Sequence, residues 1–125
     1  MSFNWAHYLD VADELNTKTQ PPVLVEARKR SAVSRAYYSL FCQARNFLRD
    51  SDGKTLPGDS TVHSFVQEQF KANADTRRRQ IGDSLDELRV YRNRVDYDDV
   101  VTKIDWLSTA AMIVAKSALE TLATL

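Results

Sequence analysis

The feature that most constrains this fold is the stretch from Arg28 to Asp50, RKRSAVSRAYYSLFCQARNFLRD. Val33, Ala36, Tyr37, Leu40, Phe41, Ala44, Phe47 and Leu48 recur there in steps of three, one and three. That is the stripe of an amphipathic helix. No Gly or Pro interrupts the run from Val23 onward. Around AYYSLFC, residues 36–42, the apolar character spreads beyond one stripe, with Tyr38 and Cys42 pointing away from Tyr37 and Leu40. A helix apolar around most of its circumference is covered on several sides. The spacing therefore predicts a central helix on which the others pack.

The rest of the chain supplies the partners. A first helix is predicted from about Asn4 to Asn16, with Trp5, Tyr8, Leu9, Ala12 and Leu15 on one face and Ser2 or Asn4 as cap. Pro21-Pro22 breaks the path and starts the long helix, which would run for roughly 40 Å. SDGKTLPGDS, 51–60, is the clearest loop. Ser60 or Thr61 is expected to cap a short third helix carrying Val62, Phe65, Val66 and Phe70. The fourth carries Ile81, Leu85, Leu88, Tyr91 and Val95; Asp98 and Asp99 end it and are expected to cap the fifth, which carries Ile104, Leu107, Ala111, Val114, Ala118, Leu122 and Leu125. Ala110, Ala111, Ala115 and Ala118 permit close helix approach. With three Gly and three Pro in 125 residues, few tight turns are available. The expected architecture is an all-α bundle of four to five helices in one domain, residues 1–125.

Charge and composition narrow the function classes. Seventeen basic and seventeen acidic residues cancel, so any nucleic-acid binding rests on a local patch. The only cysteine, Cys42, excludes an internal disulfide and points to a reducing, cytoplasmic setting. No basic-then-apolar leader is evident, and the longest apolar run, 110–115, is too short to span a bilayer, so no membrane role is expected. His7 and His63 have no second metal ligand at helical spacing, so neither zinc nor any other cofactor is expected; either could reach the cleft in the fold, but a capping or surface role is preferred for both.

One position breaks the pattern. In the fourth helix the apolar series 81, 85, 88, 95 lacks its member at 92, which is an arginine. At about 100° per residue Arg92 falls within roughly 20° of Ile81, in the centre of the stripe. A guanidinium stays charged, so an inward Arg92 needs partners or water. Asp96 lies one turn on, with Asn93, Tyr97 and Asp98 nearby. Either Arg92 pairs with Asp96 as an internal salt bridge, or it faces a cleft and holds a phosphate or another anion.

SAVSRAYYSLFCQARNFL, followed by LRVYRNRVDYDD and a final alanine-rich helix, resembles the HEPN domain. The resemblance covers almost the whole chain, and the paired tyrosines with the RNxxDYD phrase at Arg92–Asp98 carry it together. It implies a prokaryotic helical bundle, usually a homodimer, often encoded beside a nucleotidyltransferase partner in a toxin–antitoxin pair. Active relatives cut RNA without metal, using an arginine followed by a polar residue and a histidine four to six residues after the arginine. Arg92 and Asn93 match the first half; Tyr97, Asp98 and Asp99 stand where the histidine falls. Histidine suits proton transfer at neutral pH, and neither Asp98 nor Tyr97 replaces it well.

Three readings follow. The first is a dimeric HEPN-like protein that binds a nucleotide, an RNA or a nucleotidyltransferase through Arg92, Asn93, Asp96, Tyr97 and Tyr38, without efficient ribonuclease action. The second is a metal-independent ribonuclease toxin with Arg92 and Asp98 as its catalytic candidates. The third is an adaptor bundle in which Arg92 is only an ion pair. Arg77–Arg79 with Arg28, Lys29 and Arg30 are candidates for a basic RNA patch, although solvated helix ends explain them as well. Tyr37 and Tyr38 suit base stacking or, more simply, the core.

Overall fold

The structure, a computed structural model, describes residues 2–125. Five α-helices follow one another among them: α1 (His7–Thr17), α2 (Val25–Asp50), α3 (Val62–Lys71), α4 (Thr76–Tyr97) and α5 (Ile104–Leu122). A single 3₁₀ turn, Pro22–Leu24, leads into α2. Proline fits there because a first turn leaves its missing N–H unneeded. The chain is an all-α, single-domain bundle, as its periodicity predicts.

α2 is the spine. Eleven of its 26 residues are buried, and they face α1, α4 and α5 in turn. Ala32, Val33, Ala36, Tyr37, Leu40, Phe41, Cys42, Ala44 and Leu48 all lie in the core. α3 rests chiefly on α4, where Val66 and Phe70 meet the buried face of Ile81, Leu85 and Leu88. Burial of each such side chain stabilises by about 2 kcal/mol. The small residues Ala111, Ala115 and Ala118 bring α5 against α2 and α4.

The expected caps are corrected. Asp98 closes α4 and does not open α5, which begins after Lys103 in a left-handed conformation with φ 56°. Asp98 and Asp99 instead offer backbone carbonyls to Arg30 of α2, which donates to Asp98 O at 2.6 Å, Asp99 O at 3.1 Å and Val95 O at 3.0 Å. A guanidinium there satisfies carbonyls that the helix end leaves open. Thr61 stands at the N-cap position of α3, as expected, but its side chain makes no capping bond; instead Asp59 accepts from the Thr61 amide and hydroxyl. α1 starts later than its apolar spacing suggests, because Asn4 Oδ1 accepts from the Ala6 amide in a preceding turn.

Candidate functional site

Arg92 is held in the bundle by the residues that its spacing predicts, and by one more. Its side chain is 16% exposed, and Nε lies 3.2 Å from Asp96 Oδ2, whose side chain is 30% exposed. The N–H is not aligned on that oxygen, so this buried nitrogen has an ionic partner but no directed hydrogen bond. Nη1 donates to Asn93 Oδ1 at 2.8 Å and Nη2 to Tyr38 Oη at 2.5 Å. The guanidinium also lies over the Tyr37 and Tyr38 rings, 5.7 and 5.2 Å from their centroids. Ser34 Oγ donates to Asp96 Oδ2 at 3.4 Å, tying the knot to α2. Of the residues singled out in the sequence, Arg92, Asn93, Asp96 and Tyr38 therefore meet. Tyr97 does not join them: it is 74% exposed at the end of α4. The Asp98 side chain is likewise on the surface.

His63, for which the sequence favours a capping or surface role over a place at the cleft, is at the centre. From the first turn of α3 it stacks on Phe41 with ring centroids 4.2 Å apart, and its Nδ1 lies 2.7 Å from Tyr37 Oη. Burial pushes the imidazole pKa down, and the charges of Arg89 and Arg92 push the same way. Burial also raises the Tyr37 phenol, against the pull of the same two arginines. Both shifts favour a neutral pair, phenol against imidazole, joined by one hydrogen bond. Nothing in the helical spacing of α3 announces this, because the partners of His63 are on α2 and α4.

Beside this centre a groove of about 480 Å³ opens between α1, α2 and the start of α3. Trp5, Tyr8, Tyr38 and His63 supply its aromatic surface, with Phe41 buried beneath the His63 ring, and Arg35 and Arg45 supply its charge. Arg35 lies 4.9 Å from the Tyr8 ring centroid and Arg45 5.5 Å from that of Trp5. Neither arginine has a carboxylate within ion-pair distance among the described residues. Four other surface depressions each include at least one acidic side chain, such as Asp52, Glu87 or Asp50; this groove has none. Tyr38 joins the two regions, because its hydroxyl accepts from Arg92 while its ring lines the groove.

The basic runs do not form a patch. Arg78 forks onto Asp52, Arg77 onto Asp75, and Arg79 donates to the carbonyls of Asn73 and Ala74. The salt bridge and amide bonds from Arg77 hold the Asp75 carboxyl at about 2. Lys29 and Arg28 reach Asn16 and Gln20. These five cations, like Arg30, are engaged at helix ends and their flanking loops. Among the described residues no three His, Cys, Asp or Glu side chains cluster as a metal site would require, and no helix is long and apolar enough to cross a membrane. Comparison of the chain with family models, curated proteins and solved structures gives no match.

Proposed function

We propose that this chain is a HEPN-like binding protein for a nucleotide or RNA, whose ligand lies in the groove between α1, α2 and α3 and against Tyr38. One observation carries the reading: aromatic rings and two arginines without acidic partners share a groove free of carboxylates. Stacking on aromatics together with cations for phosphate is how proteins hold single-stranded nucleic acid without reading its sequence. Arg92 supports this surface from behind. By donating to the Tyr38 oxygen it fixes the ring and leaves the phenolic hydrogen free for a ligand. A thermal-shift panel of nucleoside monophosphates and short RNAs tests the proposal. A ligand at a hundred times its Kd stabilises by about 2.7 kcal/mol, a shift of several degrees. No shift with any of them at millimolar concentration overturns it.

A second reading, the metal-independent ribonuclease, is favoured by His63 rather than by Asp98. With Tyr37 Oη on Nδ1, the neutral imidazole accepts a proton only as the tautomer whose Nδ1–H donates to that oxygen and leaves Nε2 bare, near the charges of Arg89 and Arg92. Induced expression in a bacterial host distinguishes the two. Growth arrest with broken RNA, relieved by His63→Ala, supports cutting; normal growth with binding intact supports the first reading. The resemblance also implies a homodimer and a nucleotidyltransferase encoded alongside, which light scattering and co-expression respectively test.

A further inference from the structure

We infer that the groove is built for a short single strand of about four nucleotides, with Arg35 and Arg45 each taking a phosphate at opposite ends; this rests on the nucleotide-binding reading above. Arg35, Tyr38, Cys42 and Arg45 step by three, four and three along α2, which places them in one line on one face. Ten residues of helix set the two arginines about 15 Å apart along the axis. At about 3.4 Å per stacked nucleotide, phosphates that far apart are separated by about four steps; in an extended strand, with roughly twice that spacing, about two steps suffice, which is the separation of the outer phosphates of a tetranucleotide. A mononucleotide has one phosphate and reaches one of these cations.

The aromatic surface between the arginines matches this length. Tyr38 and His63 lie in the middle of the groove, His63 over the buried Phe41, with Tyr8 under one guanidinium and Trp5 under the other. Arg45 makes a single hydrogen bond, to Asn46 Oδ1 at 3.1 Å, and no hydrogen bond involves Arg35 among the described residues. Both retain donors for phosphate. No Asn, Gln, Asp or Glu lines the groove, so the edges of the bases meet no amide or carboxylate. The ligand is then a single strand of any sequence, bound through stacking and phosphate contacts.

Fluorescence anisotropy with the full chain tests this, using labelled tetranucleotides of A and of U, as RNA and as DNA, with AMP as competitor. The expected result is a tetranucleotide bound at least about 30-fold more tightly than AMP, with little difference between A and U. Two phosphate contacts predict a slope of log K against log salt near −1.4 for the unmodified protein, and near −0.7 for Arg35→Gln or Arg45→Gln. Each of these variants should bind about 10-fold more weakly, and Arg35→Lys or Arg45→Lys should restore the slope. Circular dichroism melts show whether the variants are folded; if one is not, the slope of the unmodified protein still decides. Equal affinity for AMP and the tetranucleotide, or glutamine variants that bind and respond to salt unchanged, overturns the strand inference and leaves nucleotide binding standing. Failure of AMP and every tetranucleotide to bind overturns both. RNA binding without DNA binding identifies the 2′-hydroxyl as a further contact and supports the strand.

Discussion

Arg92 directs its donors to Tyr38 and Asn93 and sets its charge against Asp96, so its removal strands groups on two helices. Arg92→Ala leaves Asp96 without its cation and opens a hole in the α4 stripe. The expected loss is about 2–3 kcal/mol by urea denaturation, less than for a fully buried pair because water reaches both partners. Arg92→Lys keeps the charge but not the planar fork, and should recover only part of this. His63 gives a prediction with a sign. Its pKa in the fold lies below the unfolded value of about 6.5, so below that pH the unfolded chain binds more protons and stability falls with acidification. Its contribution is complete above about pH 6.5 and is lost as pH drops through the lower folded pKa. In His63→Phe the ring still packs against Phe41, but Tyr37 loses its hydrogen-bond partner, so the variant is less stable at pH 7.5. The stability gap to the unmodified protein should narrow by pH 5.5, and a constant gap would contradict the assignment. Arg92 was legible in the sequence because it interrupts one helix's own period. His63 was not, since its partner Tyr37 is 26 residues away on another helix. The stripe of Arg35, Tyr38, Cys42 and Arg45 was present in the spacing, but only the packing of α1 over it shows that the stripe lines a groove.

At the scale of elements, helix existence follows from periodicity and helix ends do not. The stripes of α2, α4 and α5 each require burial of a continuous face, a condition spread over many residues. A cap depends on one local geometry, and a distant side chain can take it over. Arg30 does so for α4, reaching across from α2 to three carbonyls. Arg30→Ala should cost about 2 kcal/mol and increase amide hydrogen exchange at residues 94–98 before it does so elsewhere. Gly82 marks another junction invisible in the spacing. A Cβ there would meet the Lys71 backbone nitrogen and Cγ at 2.7 Å, where α4 crosses the end of α3. Alanine favours an isolated helix over glycine by about 1 kcal/mol. Here the clash is with backbone, which cannot move aside as a side-chain tip would. Gly82→Ala is therefore expected to destabilise by about 1–2 kcal/mol net, read as a lower denaturant midpoint with an unchanged slope.

For the whole molecule, the equal charge count conceals an uneven distribution. Most cations are tied to acids or carbonyls; of those that are not, Arg35 and Arg45 share one groove, where their attraction for an anion reaches only about a Debye length, near 8 Å. The apolar surface is uneven in the same way. Val90 and Tyr97 are seven residues apart on α4, and Trp106 and Ile113 seven apart on α5, so each pair shares a face. Tyr91 bridges the two helices, with its ring 6.4 Å from that of Trp106 in an edge-to-face contact. Trp106 at 61% and Ile113 at 63% exposure are large apolar groups left to water on one side of the bundle, which supports the proposed homodimer. Charge along α4 suits a two-fold pairing. Asp83, Asp86 and Glu87 precede Val90 and Arg94 follows it, so antiparallel copies of α4 crossing at Val90 set Arg94 against the partner's acidic turn. Trp106→Glu places a carboxylate in the middle of that surface without touching the core or the groove. Light scattering should then give a dimer mass for the unmodified protein at micromolar concentration and a monomer mass for Trp106→Glu, with the far-ultraviolet helical signal unchanged. Arg94→Glu should weaken the dimer as well, and pairing it with Glu87→Arg should recover part of the loss. A monomer in the unmodified protein would remove the dimer and leave the groove, on the opposite helices, untouched.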